Sequence, residues 1–142
     1  MTAPTSKRER DLRDADLHPL LLTFYDTLSR DELLASYFEG LDMREHMPRI
    51  TAFWSTLLFH TRSYSGSAFR PHLQMRGLTP PHFARWVARL EAAVDARFAG
   101  PAASTMKELA HRIAFSMQMR LGLAPFEPYK ELSPEVVTRS AR

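Results

Sequence analysis

Two imidazoles in this chain stand where a helical framework can aim them into one apolar space. His72 follows an irregular stretch, Tyr64-Ser65-Gly66-Ser67-Ala68-Phe69-Arg70-Pro71. It precedes Leu78-Thr79-Pro80-Pro81-His82-Phe83-Ala84-Arg85-Trp86-Val87, the pattern of a capped apolar helix. His46 opens another helix, whose apolar stripe runs Ile50, Phe53, Trp54 and Leu57. Neutral imidazole is a common metal donor. Two of them entering a mostly apolar pocket from separate segments suit a planar metal cofactor.

The absence of cysteine narrows that chemistry. Iron–sulfur clusters, thiolate ligation and covalent attachment through Cys-x-x-Cys-His are excluded, so any metal or haem is held by His, Met, Tyr or carboxylate. Haem b, held without a covalent link and with His72 as axial donor, is the leading expectation. Tyr25 sets a hydroxyl on a face otherwise made by Leu21 and Leu28, and a buried phenol needs a partner. A ligand in the pocket or a backbone carbonyl would serve. The Trp86 indole N–H is a donor only, and either stabilises a partly negative ligand or fills the core. Arg49, three residues past His46, can reach an anionic cofactor group or stand in solvent. His18, His60, His82 and His111 read as turn, surface or structural residues, and Met106, Met117 and Met119 as core filler. Neither a Ser/His/Asp set nor a phosphate loop nor paired catalytic carboxylates occur at a recognisable spacing.

The elements that must carry these residues are all helical, because no alternating period-two segment of useful length exists. Residues 1–17 are polar and mixed in charge, and read as an arm. A helix domain over 18–122 follows. It begins at His18-Pro19 with Leu21, Phe24, Tyr25 and Leu28 on one face. Glu32 to Phe38 reads as a short apolar helix that Gly40 can end in a left-handed conformation. The next helix starts near Met43 and accommodates Pro48 within its first turn, which places His46 at the entrance. The Ser/Gly/Pro-rich stretch to Gly77 leaves room for a turn or two around His72. Thr79 caps a helix burying Phe83, Trp86, Val87, Leu90 and Val94, and after Gly100-Pro101 a last helix carries Met106, Leu109, Ala110, Ile113, Met117 and Leu121. Residues 123–142, with Pro125, Pro128 and Pro134, form a tail. Unequal helices joined by long loops suggest globin-like packing around an internal ligand rather than a four-helix bundle.

At 142 residues one domain with a real core is expected. No apolar run approaches the roughly 20 residues of a membrane span. The first ten residues lead into more charge rather than a signal-peptide core, which points to a cytoplasmic protein without a membrane partner. The pI near 9.6 raises nucleic acid, but 19 basic and 16 acidic residues alternate along the chain. Only Arg85 and Arg89 sit as a basic pair on the Thr79–Val94 helix, so nucleic acid is not expected as a partner.

In order and spacing, Phe24-Tyr25, Phe38 thirteen residues after Tyr25, His46-Met47, Phe53-Trp54, Tyr64-x-Gly66, His72 and His82-Phe83-x-x-Trp86 resemble the group III truncated haemoglobins. The resemblance spans about Pro19 to Met117 and rests on dispersed positions. It implies an all-α, truncated globin-like helical sandwich enclosing a haem. It further implies His72 as proximal iron ligand, Tyr25 and Trp86 as polar distal residues, His46 as distal gate and Phe38 as the aromatic on the haem plane. Ile50, Phe53, Phe83, Ile113 and Met117 complete the expected haem contacts. This chain has Ser67-Ala68-Phe69 where the family usually carries Asn-Pro-Met, and Pro71 starts the proximal segment at about His72 itself. The expected ligands are O2, CO, NO or peroxide, with ligand chemistry on peroxide, nitric oxide or nitrite fed by an unidentified electron donor. The competing expectations are a helical interaction module without haem and a simple gas carrier or sensor.

Overall fold

The computed structural model describes residues 10–64, 75 and 77–123. Four α-helices carry the fold: α1 (Leu17–Arg30), α2 (Met43–Phe59), α3 (Pro80–Asp95) and α4 (Pro101–Arg120). Short 3₁₀ turns at Asp14–Asp16 and Ala35–Phe38 flank α1, and no strand occurs among the described residues. Helix α1 packs on both α2 and α3, while α3 and α4 form a second pair. Lys107 Nζ to Asp95 at 2.6 Å and His111 Nε2 to Glu91 at 2.9 Å fix that second pair antiparallel.

The apolar periods build the core where the sequence places them. On α1 the buried residues are Leu17, Leu20, Leu21, Phe24 and Leu28, a single stripe at helical spacing. They meet Met47 and Trp54 from α2, Leu90 and Val94 from α3, and Met106 and Ala110 from α4. A smaller cluster of Phe83, Val87, Ala114 and Met117 lies between α3 and α4.

Three local expectations change. Pro48 is the sixth residue of α2 rather than part of its first turn, because Asp42 caps the helix at Met43 by accepting from the Arg44 N–H at 3.0 Å. The missing Pro48 N–H then leaves the Arg44 carbonyl without its helical donor near the exposed end of the helix. The segment expected as a helix from Glu32 forms only the 3₁₀ turn Ala35–Phe38, while Gly40 does adopt positive φ, 75°. Residues 10–17, expected as part of a loose arm, are docked: Leu12 and Leu17 lie in the core. Asp11 explains the docking. Its carboxylate accepts from the Ala102 and Ala103 N–H groups at 2.8 and 2.9 Å, capping α4 from a distant part of the chain. A Cβ on Gly100 would come within 2.5 Å of the Asp11 Cγ, so that approach requires glycine. The remaining residues of the arm and nearly all of the tail, 1–9 and 124–142, lie outside the described residues.

A buried ion cluster joins α1 to α3. Asp31, its side chain fully shielded, accepts from Arg85 at 2.9 Å and from Arg89 at 2.9 Å, and its Oδ1 also accepts from the Leu33 N–H. Both arginines of the basic pair on α3 are thus engaged by Asp31 while remaining partly exposed. Burial pushes the Asp31 carboxyl up, but the bonds from Arg85, Leu33 and Arg89 outweigh it and hold the group at about 2. A carboxylate lowered from 3.8 in this way contributes about 2 kcal/mol at neutral pH. The contribution is present above the unfolded pKa and disappears as pH falls through the folded one. Urea unfolding followed by circular dichroism should thus show wild type exceeding Asp31→Asn by about 2 kcal/mol more at neutral pH than near the folded pKa. An equal gap at both pH values would mean that the charge of Asp31 contributes nothing.

Candidate functional site

A cavity of about 670 Å³ opens between the helices. Tyr25 reaches it because one residue past Phe24 turns the side chain off the α1 core stripe. From α2, His46 in the first turn is followed one and two turns on by Ile50 and Phe53, so a single helix face supplies all three. Met47 and Trp54 point to the α1 side, where both are buried. Trp54 also touches the cavity wall. The 3₁₀ turn brings Phe38, α3 brings His82, Phe83 and Trp86, and α4 brings Ile113, Ala114 and Met117.

Every residue nominated for the site from sequence therefore borders one space, except His72. That residue lies outside the described segments, and with it the proposed iron ligand. Reasoning from sequence missed Tyr37, Leu41, Tyr64 and Met75 as lining residues, and treated His82 as structural only. Tyr64 carried a signal, since it opens the quoted loop, and its ring meets Phe53 edge-on at 5.4 Å. Tyr37 lies within, and Leu41 just past, a turn too short to show a period.

The walls are largely aromatic and aliphatic. Tyr25 meets Phe24 at 5.0 Å and Phe38 at 5.8 Å, both edge to face, and Phe24 meets Trp86 at 6.0 Å. Tyr25 is half-buried by area because it borders the cavity, yet its hydroxyl is thoroughly desolvated. Burial pushes its pKa up to about 12, opposed by a hydrogen bond from the Trp86 indole. The phenol stays protonated at any physiological pH. Since the indole N–H can only donate, a bond from Trp86 to the Tyr25 oxygen would leave the phenol its own O–H to give elsewhere.

The other imidazoles divide by their bonds. His82 closes the N-terminus of α3 reciprocally with Thr79: the Thr79 N–H reaches Nδ1 at 3.0 Å and the Thr79 hydroxyl lies 2.7 Å away. Its ring also meets Tyr37 edge-on at 5.6 Å. His46 is half-buried at the mouth, and the exposed Arg49 beside it makes only a long 3.9 Å contact with Glu45. No group of three or more His, Cys, Asp or Glu able to hold a metal ion occurs among the described residues. The cavity's size, its largely apolar walls and the Arg49 among its lining residues are compatible with a haem, whose flat body is apolar and whose propionates are anionic. No described helix is long and apolar enough to cross a membrane.

No protein-family model matches the chain, and no curated protein sequence does. The structure is similar to the crystal structure of group III truncated hemoglobin from Campylobacter jejuni, with a TM-score of 0.73 and 21% identity. The match covers 80% of this chain and 94% of that one. At that identity the likeness is one of fold, an all-α, truncated-globin-like arrangement of helices.

Proposed function

We propose that this protein binds haem b in the cavity, with His72 as the axial iron ligand, and that it takes up a diatomic ligand or peroxide on the opposite side. The observation that supports this best is convergence. Residues from five separate segments border one largely apolar space, and the Tyr25 phenol among them stays protonated. Bound haem would supply the iron at which O2, NO, nitrite or peroxide is held or reduced.

The chain's own residues do the rest. Phe38, Phe53, Phe83, Ile113 and Met117, with Ile50 from α2, line the cavity with apolar surface and would keep water from a bound haem. Arg49 lies on the rim, where a cofactor carboxylate would emerge. His46, in the first turn of α2 and half-buried, is placed to gate entry. Trp86 holds the Tyr25 oxygen, and Tyr25 presents its O–H to whatever occupies the pocket. A donor in a dry, low-dielectric site polarises a partly negative ligand more than reversible carriage needs, which favours chemistry on peroxide, nitric oxide or nitrite over transport alone. An electron donor from outside the chain would be required.

The test is the absorbance spectrum of the full chain after addition of haem. A Soret band with the ferrous spectrum of a histidine-ligated haem is expected at one haem per chain. A spectrum identical to free haem would overturn the proposal in favour of an interaction module without cofactor.

A further inference from the structure

We infer that Asp31 is a positioning residue for the polar pair Tyr25 and Trp86, setting from outside the cavity how the two side chains meet within it. The inference extends the proposed function, which gives that pair its role. Tyr25 stands on α1 and Trp86 on α3, so their meeting depends on the register between two helices. The packing there is apolar. Phe24 touches both rings, at 5.0 and 6.0 Å, but apolar contact has no preferred direction and tolerates sliding.

Asp31 supplies the direction. It follows α1 immediately, and its N–H donates to the Leu28 carbonyl at 3.1 Å, so it is anchored to the end of that helix. Its own carbonyl accepts from Leu34 and Ala35 at 3.1 and 2.7 Å, which ties it to the turn that brings Phe38 against Tyr25. The carboxylate then accepts from Arg85, at 3.1 Å on Oδ1 and 2.9 Å on Oδ2, and from the Arg89 Nε at 2.9 Å. Arg85 directly precedes Trp86 and Arg89 follows it by three, so the two anchors bracket the indole along α3. One residue thus binds all three elements that present Tyr25, Phe38 and Trp86: its backbone holds α1 and the turn, and its carboxylate holds α3. Charge-assisted bonds to two guanidinium groups constrain the helix register more tightly than the aromatic contacts do.

The two tryptophans make the test internal. Trp54, on α2, lies outside the cluster and serves as the reference for general loosening. In the full chain, solvent exchange of each indole Nε1–H is followed by NMR, with Trp86 assigned through Trp86→Phe. In Asp31→Asn, Trp86 exchange should rise about tenfold while Trp54 changes less than about twofold, because only the Trp86 bond to Tyr25 depends on the latch. Asp31→Glu should recover part of the protection. If Asp31→Asn does not fold, Arg89→Gln removes a single anchor, and a rise of about threefold at Trp86 alone is expected. Equal acceleration at both indoles would reduce Asp31 to a general stabiliser, and unchanged Trp86 exchange in a folded variant would remove the role. The readout needs no cofactor, so a wild-type chain that fails to take up haem would overturn the proposed function while leaving this result to stand or fall by itself.

Discussion

His72→Ala is expected to abolish stable haem binding, whereas His82→Ala should leave it intact and lower only the stability of the fold. The contrast follows from where each imidazole has a lone pair to offer. The Thr79 N–H donates to His82 Nδ1, so that nitrogen carries the lone pair and the proton of the neutral ring sits on Nε2. For His82 Nε2 to ligate iron, the proton would have to move to Nδ1 and face the Thr79 N–H. The α3 cap would then be lost, at about 1 kcal/mol. His46 is the other imidazole on the described cavity wall, half-buried in the first turn of α2. His72, in the sequence between α2 and α3, is the imidazole proposed as the iron ligand. Soret absorbance and haem retention during gel filtration check both variants. A normal ferrous histidine-ligated spectrum in His72→Ala would remove the assignment, and loss of haem in His82→Ala would move it to α3.

Legibility followed the strength of the period. Helices α1, α3 and α4 are long, and their apolar stripes at 3.6-residue spacing left little choice of face; Thr79 with two prolines marked the start of α3, and Gly100-Pro101 that of α4. The site was legible for the same reason. Once α2 is a helix, His46, Ile50 and Phe53 must share a face. What stayed hidden was long-range. Nothing near Asp11 in sequence announces that it caps a helix ninety residues on, so a segment with no stripe read as a loose arm. Arg85 and Arg89 read as a basic pair until Asp31, more than fifty residues earlier, proved to be their partner. Pro48 misled because an early proline fixes a helix start only loosely, and the cap at Asp42 placed the start instead. Tyr37 was missed because a 3₁₀ turn of four residues has no face to read.

Tyr25→Phe should speed oxygen release from the haem-loaded chain about five- to thirty-fold, the kinetic equivalent of losing one hydrogen bond of about 1 to 2 kcal/mol in a dry pocket. The phenol is protonated at every physiological pH, since burial holds it at about 12, so the effect should not vary between about pH 6 and 9. Carbon monoxide, which carries little negative charge when bound, should respond much less. Trp86→Phe provides the sharper contrast. If the indole spends its single N–H on the Tyr25 oxygen, its removal withdraws support from the phenol without removing a direct donor to the ligand. A smaller acceleration than in Tyr25→Phe is then expected, and almost none when Trp86→Phe is added to Tyr25→Phe, because the path through the hydroxyl is already gone. Stopped-flow oxygen displacement by carbon monoxide measures all four proteins. Additive effects of the two substitutions would show that Trp86 reaches the ligand independently. Unchanged release in both single variants would make the pair part of the core, and the case for chemistry over carriage would lose its donor.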